Sequence, residues 1–220
     1  MAGDYTRQIP RRGFALAMAA TILMMAAASA PSLFYPQIAE QLGLVPVATT
    51  LVFAVYTFTL LAALLYLGPL SDHIGRRPVV TAGSLALALS LAMFWFADSL
   101  ATLLVARALQ GLAAGLLIPA LSAMMIDFEP PSHPNIAALW NTIGPMIGLG
   151  TGALGAALLL DLTPEPTAAV FGPLVLAFLT VAATVWSTPE LVPKTRIRRG
   201  DLRPRFMVPL HLRLSLIHIS

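Results

Sequence analysis

The chain has 220 residues, enough for one or two water-soluble domains, but 58% are hydrophobic and only 10% charged, against about 25% charged in an average soluble protein. A water-soluble globule of this size cannot hide so much apolar surface, so its solvent is lipid. The absence of cysteine excludes a disulfide scaffold, a thiolate metal site and a cysteine nucleophile, and the net charge of +3 takes its meaning from where the charges sit.

Asp, Glu, Lys and Arg are missing from six long stretches: 13–39, 41–71, 78–97, 108–126, 135–160 and 166–189. Each has at least 19 residues, and a membrane-crossing helix takes about 20. The predicted spans are 14–35, 47–69, 79–97, 102–125, 136–159 and 167–187. Backbone groups in lipid must be satisfied within the segment, so the spans are helices; barrel strands would be shorter and alternating. The expected fold class is an all-α membrane protein with six transmembrane helices over 13–189, after a tail at 1–12. Span 1 has a rival reading: Arg11-Arg12, an apolar run and Ala28-Ser29-Ala30 also fit a cleavable leader. Pro31, just past that cleavage point, and the continuation to Tyr35 favour a retained span.

Every Lys and Arg except Arg107 lies before span 1, between spans 2 and 3, or after span 6. The positive-inside rule places those segments, and so both termini, in the cytoplasm. Trp95 and Trp186 then mark opposite membrane interfaces. The basic run from Lys194 to Arg205 acts as a topology anchor; the competing reading is an RNA- or anionic-lipid-binding segment. No nucleic-acid partner is expected.

Between spans 2 and 3 the chain reads Gly68-Pro69-Leu70-Ser71-Asp72-His73-Ile74-Gly75-Arg76-Arg77-Pro78. Gly68 permits close backbone approach at a helix end. Asp72 offers an anion to a helix N-terminus. Gly75 suits a turn with positive φ, Arg76 and Arg77 can pair with carboxylates or lipid phosphates, and Pro78 suits a first helical turn. A plain, positively charged turn would not need Gly, Asp, Gly and Arg at these offsets.

In this loop the sequence resembles the major facilitator superfamily, whose signature runs Gly-x-x-x-Asp-(Arg/Lys)-x-Gly-Arg-(Arg/Lys). Gly68, Asp72, Gly75, Arg76 and Arg77 match; His73 replaces the usual cation. The resemblance covers roughly residues 10–190. It implies the N-terminal half of that fold, a 3+3 inverted repeat that works with a second, C-terminal six-helix half. It also implies a conformational latch: Asp72 facing a helix N-terminus of the second half, and Arg76 paired with Asp127 at the inner end of span 4.

Arg107 interrupts the apolar sequence of span 4, about nine residues from Asp98, at a depth where an arginine costs on the order of 2.5–3.5 kcal/mol to insert. Snorkelling would be strained so far from the surface. Arg107 and Gln110 are three residues apart and share a helix face. Arg107-x-x-Gln110-Gly111 resembles the superfamily's helix-4 signature, which implies that this face looks into the central cavity and that Arg107 and Gln110 contact substrate or tune a proton-coupling group. Gly111 and Gly115 read as a helix-packing pair.

In span 5, Gly144, Gly148 and Gly152 recur every four residues as one smooth packing face, and Pro145 permits a bend. Gly144, Pro145 and Gly148 also match part of the superfamily's antiporter signature, with Trp140 and Leu149 replacing its first and last glycines. That resemblance tilts the reading toward a drug/proton antiporter.

No span holds an Asp or Glu, so the coupling carboxylate is Asp72, Asp127 or a group outside this chain. Residues 190–213 read as the start of a central cytoplasmic loop. Residues 214–220 read as a non-native tail on a truncated chain; a genuine half-size transporter that dimerises is the alternative. The expected function is export of a small drug-like or metabolic compound across a bacterial cytoplasmic membrane, coupled to protons, by alternating access. The rivals are an importer of a sugar or metabolite and a non-transporting scaffold or sensor. No His-Glu-x-x-His or Asp/His cluster lies at membrane depth, so neither enzyme chemistry, a cofactor nor a metal is expected.

Overall fold

The computed structural model describes residues 2–191, with side chains placed from Arg11 onward. The basic run at 194–205, most of the expected central loop and the 214–220 tail lie outside the described residues. Among the described residues eight α-helices follow one another: α1 Ala2–Ser29, α2 Tyr35–Gln41, α3 Pro46–Leu67, α4 Leu70–Ile74, α5 Arg76–Trp95, α6 Leu100–Asp127, α7 Ile136–Leu162 and α8 Pro166–Thr184. Six are long and apolar enough to cross a membrane: α1, α3, α5, α6, α7 and α8. No strand occurs among the described residues. The chain is an all-α, multi-pass membrane protein.

Helix α6 is the most buried of the six, with α1, α3 and α5 packed around it; α1 also packs on α7, and α5 on α8. Small residues let the backbones come close. A Cβ at Gly111 would strike Thr59 and lie 2.6 Å from the Tyr56 carbonyl, and one at Gly115 would strike Ala63. The spacing predicted a close helix contact for the Gly111/Gly115 pair, and the partner is α3. Ser90 adds a buried hydrogen bond from α5 to the Ala106 carbonyl of α6, at 2.7 Å.

Span 1 differs from its sequence reading. The α-helix ends at Ser29, a 3₁₀ turn runs over Ala30–Leu33, and α2 starts afresh at Tyr35. Pro31 is the physical reason. It has no N–H to give the Ala27 carbonyl and its ring crowds the preceding turn. In span 5, α7 stays helical through Pro145. Gly68 is helical, with φ −49°, and the nearest atoms a Cβ would meet there belong to Leu64 of its own helix. The close approach expected at Gly68 is not made to another helix of this bundle.

The buried arginine and the charged loop

Arg107 lies on α6 with 2% of its surface exposed. Its Nε donates to the Tyr35 hydroxyl, and its Nη1 donates to Gln110 Oε1 at 2.5 Å. Gln110 in turn donates from Nε2 to the Ala27 carbonyl at 2.8 Å. That carbonyl is the one Pro31 leaves without a helical partner, so Gln110 supplies a hydrogen bond that the break in span 1 removes. Four rings surround the guanidinium: the Tyr35, Phe94, Tyr56 and Phe53 centroids lie 5.0, 5.2, 5.4 and 5.6 Å from Cζ. Cation–π attraction at a desolvated site is worth about 2 kcal/mol or more. The rings thus offset part of the cost of placing a guanidinium at this depth without a carboxylate.

The resemblance implied that the Arg107/Gln110 face looks into the central cavity. Both side chains are buried inside the bundle, held by α1 and ringed by residues of α2, α3 and α5. Tyr35, Phe53, Tyr56 and Phe94 escaped the sequence reading because an aromatic residue in an apolar span carries no periodic signal of its own. The one available cue was Pro31, which marks an unpartnered carbonyl on the helix that Gln110 reaches.

At the other end of α5, Arg76 gathers the loop. Its Nε donates to Asp127 Oδ2 at 3.0 Å, its Nη1 donates to Ser71 Oγ at 2.8 Å, and Nη1 also pairs with Asp72. The Asp72 side chain is 61% exposed. The His73 ring places Nδ1 2.9 Å from the Pro69 carbonyl, so that nitrogen carries the proton. Arg77 is half-buried, and its Nε has no hydrogen-bond partner.

Glu190, just past α8, completes this end. Its Oε1 accepts the backbone N–H of Arg76 and its Oε2 that of Arg77, each at 3.0 Å. A carboxylate at the first turn satisfies orphan donors and meets the positive end of the helix dipole. Gly75 is needed here twice. Its φ is +101°, and a Cβ would lie 2.6 Å from Glu190 Oε2. Glu129 plays the same part for α7, accepting the Ala137 N–H at 3.0 Å. Neither glutamate was predicted; each is far in sequence from the helix it caps or hidden in a short loop.

In α7, Gly148 and Gly152 press on α1. A Cβ at Gly148 would strike the Ile22 carbonyl and sit 2.6 Å from Met25 Cβ, and one at Gly152 would strike the Ala26 backbone. Gly144 is looser, with Ile22 Cγ1 at 3.9 Å, so only part of the predicted glycine face makes the close contact. Ser29 of α1 donates to the Leu149 carbonyl of α7 at 3.1 Å.

Residues 17–217 match the Major Facilitator Superfamily. The chain belongs to that family. Among its relatives, the multidrug efflux pump LfrA of Mycolicibacterium smegmatis is 32% identical, aligned over 83% of this chain and 42% of LfrA. The multidrug resistance protein MdtL of Shewanella oneidensis is 31% identical over 64% of this chain and 37% of its own length. The puromycin resistance protein pur8 of Streptomyces alboniger is 29% identical over 66% of this chain and 30% of its own. The chain spans less than half the length of these relatives. Within this superfamily member, the loop between α3 and α5 brings Asp72, Arg76 and Asp127 together, and α6 holds Arg107 beside Gln110.

Proposed function

We propose that this superfamily member exports a small organic compound by alternating access, with protons as the coupling ion, acting together with a further six-helix half in a bacterial cytoplasmic membrane. The observation that carries this reading is Arg107, an ionised side chain held at membrane depth by hydrogen bonds and rings. Such a group is costly in lipid and marks a substrate or ion route. The drug-resistance names of the relatives and the partial antiporter pattern at Gly144, Pro145 and Gly148 favour export over import. In the same reading Gly148 and Gly152 seat span 5 on span 1, with Gly144 on the same face at a looser distance, and Pro145 permits a bend. The absence of acidic residues from the spans assigns the proton to Asp72, Asp127 or a carboxylate of the further half. The direct test is uptake of fluorescent drugs into everted vesicles holding the intact protein. A pH gradient should drive accumulation, and a protonophore should abolish it; accumulation unaffected by the protonophore would remove the proton from the reading.

In the same proposal Gly68, Asp72, Gly75, Arg76, Arg77 and Asp127 form a latch at the cytoplasmic end. Asp72 is charge-paired yet mostly exposed, which suits a carboxylate that also meets another element. In the intact transporter, Asp72→Asn is expected to leave membrane abundance unchanged and slow transport about tenfold, since a bias of ~1.4 kcal/mol between two states has that effect. Equal transport per molecule would exclude the latch role.

The orientation has its own test, made simple by the cysteine-free sequence. A single cysteine replacing Ser99 should react with an impermeant maleimide from outside intact cells. One replacing Ser132 should react only after permeabilisation. The reversed pattern would invert the topology.

A further inference from the structure

We propose that Arg107 is the binding site for the carboxylate of a small organic acid, with an aromatic carboxylate the best fit, and that Tyr35 occupies the site in its absence. The inference rests on the transport reading, because a conformational change has to open this buried position to a ligand.

The argument begins with the planar guanidinium. Its Nε and Nη2 point along one shared edge, and that edge matches the two oxygens of a carboxylate. In this structure the edge is half filled. Nε reaches the Tyr35 hydroxyl, whereas Nη2 is buried with no hydrogen-bond partner. The remaining nitrogen, Nη1, is committed to Gln110. A buried polar group left unpaired costs about 1–3 kcal/mol, and more when charged. A neutral hydroxyl supplies one acceptor where the edge takes two, and it supplies no charge.

Nothing within the spans supplies the counter-charge, since none of the six apolar stretches contains an Asp or Glu. The guanidinium carbon lies over four aromatic rings, with centroids 5.0–5.6 Å away. An incoming anion finds the unpartnered Nη2 on this edge, and the rings offer stacking and edge contacts to an aromatic acid. Tyr35 is well placed to leave. It starts α2, beyond the 3₁₀ turn Ala30–Leu33, while Gln110 holds Ala27 before that turn. The outer piece of span 1 can swing about the break while the Gln110–Ala27 link keeps Arg107 oriented.

Benzoate, benzamide and benzylamine are the probes: matched rings bearing an anionic, a neutral and a cationic head. With the intact protein in lipid nanodiscs, benzoate should raise the thermal midpoint in a concentration-dependent way, and the other two should not. Arg107→Gln should abolish that protection. Arg107→Lys keeps a charge without the two-nitrogen edge and should bind benzoate roughly tenfold more weakly. Tyr35→Phe removes the competing hydroxyl, so it should bind benzoate more tightly than the wild type, which a merely structural Tyr35 would not do. Equal protection by benzamide, protection that survives Arg107→Gln, or absence of protection in both wild type and Tyr35→Phe would each overturn the proposal. The last result is also what a carboxylate from elsewhere in the protein, seated on the same edge, would give. Benzoate protection in a protein that moves no drug would leave this site standing and remove the drug-export part of the reading. Proton-driven export without benzoate protection would remove the site alone.

Discussion

Arg107→Ala is expected to reach the membrane at normal abundance and to lose transport by roughly 10- to 100-fold, the range set by about 1.5–3 kcal/mol for a hydrogen bond to a charged group. Insertion should not suffer, because the substitution removes a residue whose placement costs on the order of 2.5–3.5 kcal/mol. What disappears is an organised centre. The Tyr35 hydroxyl and Gln110 Oε1 each lose a donor, and four rings lose the cation between them. The link from α6 across the break in span 1 is then reduced to the single Gln110–Ala27 hydrogen bond of 2.8 Å. Arg107→Lys separates charge from shape. A lysine ammonium can sit among the rings but cannot serve Tyr35 and Gln110 with a rigid, planar set of donors. Partial rescue would mean that the fork geometry matters, and full rescue that charge alone does. Transport per molecule in everted vesicles decides the matter; wild-type rates in Arg107→Ala would show that the residue is a tolerated passenger.

The second large effect concerns stability and has a built-in control. Gly152→Ala is expected to destabilise the bundle by about 1–3 kcal/mol, the usual cost of overpacking. The new methyl would meet the Ala26 backbone and, at 2.5 Å, Ser29 Oγ. Backbone cannot rotate out of the way as a side chain can, so α1 and α7 have to move apart, straining the Ser29–Leu149 hydrogen bond. Gly148→Ala should behave alike, since its methyl would strike the Ile22 carbonyl. Gly150 and Gly155 lie in the same helix with nothing within 4 Å of a Cβ. Alanine there should be neutral or stabilising by up to ~1 kcal/mol through helix propensity. Thermal unfolding of the four variants in one detergent checks the pattern: midpoints a few degrees lower for positions 148 and 152, unchanged or higher for 150 and 155. Equal shifts at 150 and 152 would contradict the α1–α7 contact.

Features that depend on local physics were legible along the chain. A charge-free stretch must be long enough to cross lipid and must satisfy its own backbone, so the six spans were legible from composition along the chain. The lone arginine at depth was equally plain, because one charge among apolar residues stands out. Spacing put Arg107 and Gln110 on one face, and it put Gly75, at φ +101°, in a turn that needs glycine. Gly111 and Gly115 announced a close helix contact without saying against which helix. Tertiary structure alone decided the partners. These spans are apolar almost all round, so no amphipathic stripe declares which side packs, which side meets lipid and which side encloses Arg107. Gly144, Gly148 and Gly152 look equivalent in sequence, yet only the last two press on α1. Tyr35, Phe53, Tyr56 and Phe94 become a box only when α2, α3 and α5 converge on α6. Glu190 reaches the N-terminus of α5 across 114 residues. A hydrogen bond over that separation leaves no trace in local spacing, because its geometry is set by how the helices pack and not by the residues that lie between.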